Sequence, residues 1–105
     1  MSLQEFRDML LTVTEHVYHF ETWQETEDEY IIWQETGGRS LYADGARCET
    51  VKKAQIDLYT NIEFSDTLDT LLGVLEQYDI AFQEPIPSFD TDTKRFRYIV
   101  ECEVI

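Results

Sequence analysis

The two histidines are the residues whose types and spacing come nearest to a reactive site. His16 and His19 lie three residues apart with Glu15 and Glu21 beside them, and these four side chains could be drawn as ligands of a metal ion. A protein metal site needs three or four convergent ligands, and the His-Glu-x-x-His spacing that places two histidines on one helical face is absent. The sequence also places the pair where a helix gives way to a strand, so helical i, i+3 geometry would not persist. We therefore expect no metal ion and no cofactor.

The glycine-rich run and the many carboxylates each resemble part of a catalytic site, but the other residues that such a site needs are missing. The run 37–40, Gly-Gly-Arg-Ser, is glycine-rich. It lacks the spacing of a phosphate-binding loop and is not followed by a helix whose N-terminus could bind phosphate. No Gly-x-Ser-x-Gly motif positions a serine nucleophile. Carboxylates are abundant, but a general acid and base pair needs burial and unequal surroundings. The sequence therefore predicts a protein that is not an enzyme.

Negative charge dominates the composition. The 105 residues include 22 acidic and 8 basic side chains, which gives a formal net charge of −14. That charge repels phosphate, so we expect no specific nucleic-acid binding and no attraction to anionic membranes. No apolar run reaches the roughly 18 residues of a membrane-spanning helix, and the first residues do not resemble a signal peptide. We expect synthesis in the cytoplasm, with Cys48 and Cys102 as buried reduced thiols.

Acidic and basic residues are also separated along the chain. No Lys or Arg occurs between Asp8 and Gly38, whereas five of the eight basic residues fall in the short segments 52–53 and 94–97. We therefore expect an acidic hairpin and a small basic patch on a sheet, which would bind each other between subunits of a head-to-tail ring. The alternative is that this separation is ordinary variation in surface charge and has no function. The candidate subunit-interface residues are Glu25, Glu27, Asp28, Glu29, Lys53, Arg95 and Arg97.

The elements that must position these residues begin with a helix and a predicted hairpin. Ser2 and Glu5 fit a capping box, and apolar residues at helical spacing predict a first helix from Leu3 to about Glu15. Segments 17–23 and 30–33 are rich in β-favouring residues and are separated by an acidic turn. Together they predict an antiparallel hairpin that ends at residues 37–38.

The second half of the chain predicts a sheet crossed by one more helix. A loop with a turn at Asp44-Gly45 leads to a strand over residues 50–60, where apolar and polar residues alternate. Ser65 or Asp66 caps a second helix whose apolar stripe ends at Tyr78. The remaining predictions are a strand from residue 80, Pro85 and Pro87 at a sheet edge or in a loop, a turn over 90–93, and a last strand over 94–104.

This order, α-β-β-β-α-β-β, predicts a single α+β domain over residues 1–105. Both helices would pack on one face of an antiparallel sheet.

Four segments carry a resemblance to a known family. They are Leu41-Tyr42-Ala43-Asp44-Gly45, Gln55-Ile56-Asp57-Leu58-Tyr59-Thr60, the leucine-rich helix from Asp66, and Arg97-Tyr98-Ile99-Val100-Glu101. Residues 41–104 thereby resemble the small tail-completion or tail-terminator (head–tail joining) proteins of tailed bacteriophages and prophages. The resemblance implies an α+β fold and a non-enzymatic ring subunit, commonly of a hexamer, that caps the tail tube and contacts the head connector. It places the protein in the virion tail or neck after synthesis in the bacterial cytoplasm.

Two other hypotheses come from different functional classes. An acidic protein of this size could mimic DNA and inhibit a nuclease or a DNA-binding protein, although the acidic residues cluster rather than repeat along one face. A small ligand-binding or enzymatic domain would need a deep apolar pocket with convergent polar groups. Under the ring hypothesis, reversing Arg95 and Arg97 to Glu should disrupt the ring and leave the fold intact.

Overall fold

Two helices and six strands make up the described part of the chain. The computed structural model describes residues 1–20, 28–43 and 46–104, with residues 39–43 and 46–50 described by their backbone alone. The predicted α+β class is confirmed. In chain order the elements are α1 (Leu3–Leu10), β1 (Val17–His19), β2 (Glu29–Ala43), β3 (Ala46–Thr60), α2 (Thr67–Gln77), β4 (Ala81–Phe82), β5 (Ile86–Asp90) and β6 (Arg95–Val104).

The strands form one sheet in the order β1-β2-β3-β6-β4, with β5 also paired to β6. β4 pairs with residues 102–103 of β6, and β5 pairs with residues 95–99 of the same strand. The two short strands therefore act as one edge strand that is divided near Pro85, since proline cannot donate a ladder hydrogen bond. The edge position predicted for the prolines is confirmed, and the division adds one strand to the predicted order.

The hydrophobic core lies between one face of this sheet and both helices. Side chains alternate across β3 and β6, so Ile56 and Val100, which are partners in the ladder, point to the same face. Phe6 from α1 meets Trp33 edge-to-face with ring centroids 5.4 Å apart. The core cluster comprises Phe6, Met9, Leu10, Ile31, Trp33, Ala54, Ile56, Leu58, Leu71, Leu75, Ile80, Val100, Cys102 and Val104. Both helices thus cover one face of the sheet, and we call the other side the opposite face.

Both helix starts follow the sequence. The Ser2 hydroxyl accepts a hydrogen bond from the Glu5 amide, and the Glu5 carboxylate accepts one from the Ser2 amide, each at 3.1 Å, which confirms the capping box. At α2 the Ser65 hydroxyl accepts from the Thr67 amide at 3.2 Å, whereas Asp66 makes no side-chain cap bond.

The end of α1 differs from its prediction. The helix ends at Leu10 rather than near Glu15. Residues 12–14, Thr-Val-Thr, are β-branched and lose side-chain freedom in a helix. The Thr12 hydroxyl donates to the Met9 carbonyl at 2.6 Å at this point.

The predicted antiparallel hairpin between β1 and β2 is wrong. The two strands are parallel, with Val17 opposite Ile31 and His19 opposite Trp33. Parallel pairing places Val17 and His19 on the face that α1 covers, so the short strand extends the core instead of reversing the chain. Part of the predicted turn, residues 25–27, lies outside the described residues.

The glycine pair lies inside a strand and not at its end. β2 continues through Gly37 and Gly38 and pairs antiparallel with β3, with register shifts between Glu35 and Gly37 and between Leu41 and Tyr42. Gly37 has φ +132°, and a Cβ on Gly38 would lie 2.7 Å from the Val51 carbonyl oxygen. Glycine therefore accommodates a β-bulge and a close backbone approach, and the predicted loop over residues 39–43 is strand. The predicted turn at Asp44-Gly45 lies outside the described residues.

Candidate functional site

The basic residues predicted to form one patch lie near opposite ends of β6. β3 and β6 are neighbours, but Lys53 pairs with Glu103 whereas Arg97 pairs with Tyr59. Lys53 and Tyr59 are six positions apart on β3, which corresponds to about 20 Å. The prediction of a single basic patch is therefore wrong. In the antiparallel register, Lys53 lies opposite Glu103 near the end of β6, whereas Arg97 lies near its start.

Arg97 belongs to an intramolecular network on the opposite face. One guanidinium nitrogen donates to the Asp57 carboxylate at 2.9 Å, and the side chains of Arg97 and Asp57 are 32% and 10% exposed. The Gln55 amide donates to the same carboxylate at 3.0 Å. Burial works against the charged guanidinium, but the hydrogen bond and charge of Asp57 outweigh it and raise the pKa of Arg97. The charge of Asp57 therefore depends on Arg97, and we expect reversal of Arg97 to destabilise the fold as well as any contact between copies.

Arg95 lies over a small aromatic group on the same face. Tyr30 and Tyr59 stack with centroids 4.9 Å apart, and Tyr18 meets Tyr30 edge-to-face at 6.4 Å. The Arg95 guanidinium lies 5.4 Å from the Tyr30 ring centroid, and that of Arg97 lies 5.8 Å from Tyr59. Cation–π contacts at such distances stabilise by about 0.5–2 kcal/mol. Both arginines predicted at an interface thus cover the tyrosines of their own chain.

Asp28 and Glu29 hold the segment that links β3 to α2, residues 61–65, which we call the 61–65 loop. The Asn61 side-chain amide donates to the Asp28 carboxylate at 3.0 Å, and the Asn61 backbone amide donates to the Asp28 carbonyl at the same distance. The Ser65 hydroxyl donates to the Glu29 carboxylate at 2.9 Å. The two acidic residues predicted at the interface therefore fix both ends of this loop. Glu25 and Glu27, the other two acidic candidates, lie outside the described residues.

The 61–65 loop exposes two apolar side chains to solvent. Phe64 is 89% exposed and Ile62 is 47% exposed. Phe64 has φ +58°, a left-handed conformation that is uncommon for a bulky residue. Such backbone strain persists only where surrounding contacts impose it, as the hydrogen bonds to Asp28 and Glu29 do here. Phe64 is thus an exposed aromatic residue on a loop whose backbone is held at both ends.

Lys53 lies at an open cavity beside the middle of β3, where β6 comes to its end. The cavity has a volume of about 490 Å³, and its lining includes Lys53, Gln55, Phe82, Glu101 and Glu103. Ion pairs within the described residues are formed by other cations and do not include Lys53. This volume lies within the range of ligand-binding clefts. Of the five candidate residues that the structure describes, Lys53 is the one placed exposed beside a cavity.

The histidines take structural positions. His19 stacks on Trp33 with centroids 4.0 Å apart, and its Nε2 lies 2.5 Å from a Glu35 carboxylate oxygen. His16 Nε2 lies 3.5 Å from the Glu15 carboxylate. Within residues 1–20, 28–43 and 46–104, no three His, Cys, Asp or Glu side chains come together as metal ligands would. No helix in these ranges is long and apolar enough to cross a bilayer.

Sequence reasoning missed Phe64 and the cavity. The signal for Phe64 was available, since Ile62 and Phe64 are apolar residues between a strand and a helix cap, where neither periodicity absorbs them. The cavity had no such signal, because it depends on the register that sets Lys53 against Glu103 and brings Phe82 to the sheet edge.

No protein-family model matches the chain, and no curated protein sequence is significantly similar to it.

Proposed function

We propose that the protein is a self-assembling structural subunit of the tail-terminator type that its sequence resembles, a ring component of a phage tail or neck. The supporting observation is the long β2–β3 hairpin. Beyond the pair Gly38 and Lys52, residues 39–43 and 46–51 pair with each other, whereas β6 ends opposite Lys52. We call this two-stranded extension the ribbon.

The ribbon has unpaired backbone edges that favour assembly. β1 reaches only to Trp33 on the outer side of β2, so within the described residues both ribbon strands lack a further neighbour. At about 3.3 Å per residue the ribbon is about 17 Å long, and it contributes to a molecule that measures 51 × 25 × 22 Å. Two-stranded ribbons are marginally stable in water, and open strand edges are templates for pairing with another chain. In a ring, a neighbouring subunit could both stabilise the ribbon and pair with its open edges.

The proposed partners follow from the same assignment. A ring at the end of a tail tube would contact tube subunits on one side and head-connector subunits on the other. The chain charge of −14 would leave DNA free to pass through such a ring, because phosphates would meet few cations.

The test is to locate the protein in phage particles. A copy with a short epitope tag, expressed during phage induction in the bacterium that encodes the chain, should be detected by gold-labelled antibody at the head–tail junction of purified particles. An untagged copy serves as the control for background labelling. Particles without label, together with recovery of a nuclease on the tagged protein, would instead support the DNA-mimic hypothesis.

A further inference from the structure

We infer that Phe64 of one copy docks in the Lys53 cavity of a second copy, with Glu63 of the first copy against Lys53 of the second. The inference deepens the proposed ring function and rests on it. It joins two features that the fold leaves unexplained: an exposed aromatic side chain just after the end of β3 and an open cavity beside the middle of that strand, next to the end of β6.

The position of the two features suits a head-to-tail contact. The 61–65 loop follows Thr60, the last residue of β3, and Lys53 lies seven positions earlier on the same strand. That separation is about 23 Å, so the loop of one chain cannot fill the cavity of its own chain. A contact that uses different surfaces on the two partners is heterologous, and it closes into a ring when the rotation between copies allows it.

The loop is prepared for such a contact before binding. Thr60 accepts a hydrogen bond from the Ile62 amide at 3.0 Å, in addition to the bonds from Asn61 to Asp28 and from Ser65 to Glu29. Ordering a loop on binding weakens affinity, and a loop that is already ordered avoids this loss. An exposed aromatic side chain is also the kind of residue that contributes most of the binding energy of an interface once the partner removes it from water.

The cavity offers an apolar wall and one suitable charge. Phe82 and Ala81 belong to its lining, and Lys53 stands at its rim as an exposed cation. Glu63 is exposed, and the structure shows no ion pair or hydrogen bond for its side chain within the described residues. Glu101 and Glu103 make the remaining rim acidic, so charge favours the orientation that sets Glu63 against Lys53. Asp28 and Glu29 then act as positioning residues that hold the loop.

Sedimentation velocity on purified full-length variants tests this contact. Phe64→Asn removes the aromatic ring of the side chain while keeping a residue type that tolerates positive φ. It should weaken self-association at least about thirtyfold, as expected for the loss of an interface hot spot. Ile86→Thr, at a residue that is 52% exposed on the edge strand β5, is the matched apolar control and should leave association unchanged. Circular dichroism should show the same fold for both.

Charge exchange gives a second, independent readout. Lys53→Glu alone should weaken association about tenfold, and the addition of Glu63→Lys should restore it. Lys94→Glu, which changes the net charge by the same amount at the exposed turn before β6, should not act like Lys53→Glu. Association that survives both Phe64→Asn and Lys53→Glu would overturn this contact and leave the ring proposal standing. A wild-type chain that stays monomeric would overturn the contact as well, while labelling at the head–tail junction would still support the proposed function.

Discussion

At the scale of single residues, the opposite face of the sheet is stabilised by an ion pair that includes Arg97, a residue that the sequence assigned to an interface. Arg97 and Asp57 lie on neighbouring strands and bind each other at 2.9 Å, with Gln55 as a second donor to the carboxylate. Asp57 is 7% exposed, so its charge depends on these donors rather than on water. Arg97 therefore stabilises the fold of its own chain, and its role at a contact between copies stays a prediction.

Removal of the Arg97 charge should therefore destabilise the monomer. We expect Arg97→Gln to lower the free energy of unfolding by about 2–3 kcal/mol, less than for a fully buried pair because the guanidinium is one-third exposed. Urea denaturation followed by tyrosine and tryptophan fluorescence measures the change. Arg7→Gln, which breaks an exposed pair with Asp8, is the control and should cost less than about 0.5 kcal/mol. Equal effects of the two variants would contradict the structural role of Arg97.

Cys102 gives a residue-scale prediction that depends on pH. Burial raises the pKa of its thiol to about 12, from an ordinary value near 8.5. In a Cys48→Ser background, a disulfide reagent at pH 8 should label the folded protein at least about a thousandfold more slowly than the urea-unfolded chain, since the thiolate reacts. The unfolded thiol ionises above about pH 9 while the folded one stays protonated, so stability should fall as pH rises from 9 to 12. Fast labelling without denaturant would show that Cys102 is accessible.

At the scale of elements, the helix caps and the strands with alternating residues were predictable from the sequence, whereas partners and direction were not. The capping box at Ser2 and the alternation in β3 depend on neighbours within a few residues, and both are confirmed. The direction of β1 relative to β2, and the register that separates Lys53 from Arg97, depend on contacts between distant segments. Local sequence patterns do not contain that information, so the position of the candidate site could not be predicted without the pairing of the strands.

The glycine bulge is the element that most clearly departs from its prediction, and it can be tested. Gly38→Ala places a Cβ about 2.7 Å from the Val51 carbonyl oxygen, and backbone cannot yield as a flexible side chain does. We expect a loss of about 1–3 kcal/mol in unfolding free energy, with faster hydrogen exchange in the ribbon than in β6. Gly73→Ala is the control, because a Cβ at that exposed helical position meets nothing within 4 Å and should stabilise α2 slightly. A Gly38→Ala protein as stable as wild type would contradict the close approach.

At the scale of the whole molecule, the net charge of −14 opposes the assembly that the surface features favour. Two such charges about 40 Å apart repel by roughly 20 kcal/mol in unscreened water. The Debye length falls from about 30 Å at 0.01 M salt to about 8 Å at 0.15 M, so physiological salt removes most of this repulsion. A single Lys53–Glu63 contact is short-ranged and is screened far less than the long-range term.

Association should therefore become stronger, not weaker, between 0.01 M and 0.15 M salt. Sedimentation velocity at constant protein concentration in sodium chloride measures the trend. The Phe64→Asn variant serves as the control, because a chain without its anchor should remain dissociated at both ionic strengths. Association that weakens over this range would mean that attractive ion pairs dominate the contact.

The mass of the assembly distinguishes the proposed closed head-to-tail ring from other states of this chain. Native mass spectrometry of the full-length protein at physiological ionic strength, over micromolar to hundred-micromolar concentrations, should show one oligomer of fixed stoichiometry in equilibrium with monomer. A heterologous contact that closes gives such a single species, whereas one that does not close gives an open-ended series. A monomer at every concentration, or a ladder of masses without a preferred size, would contradict the account.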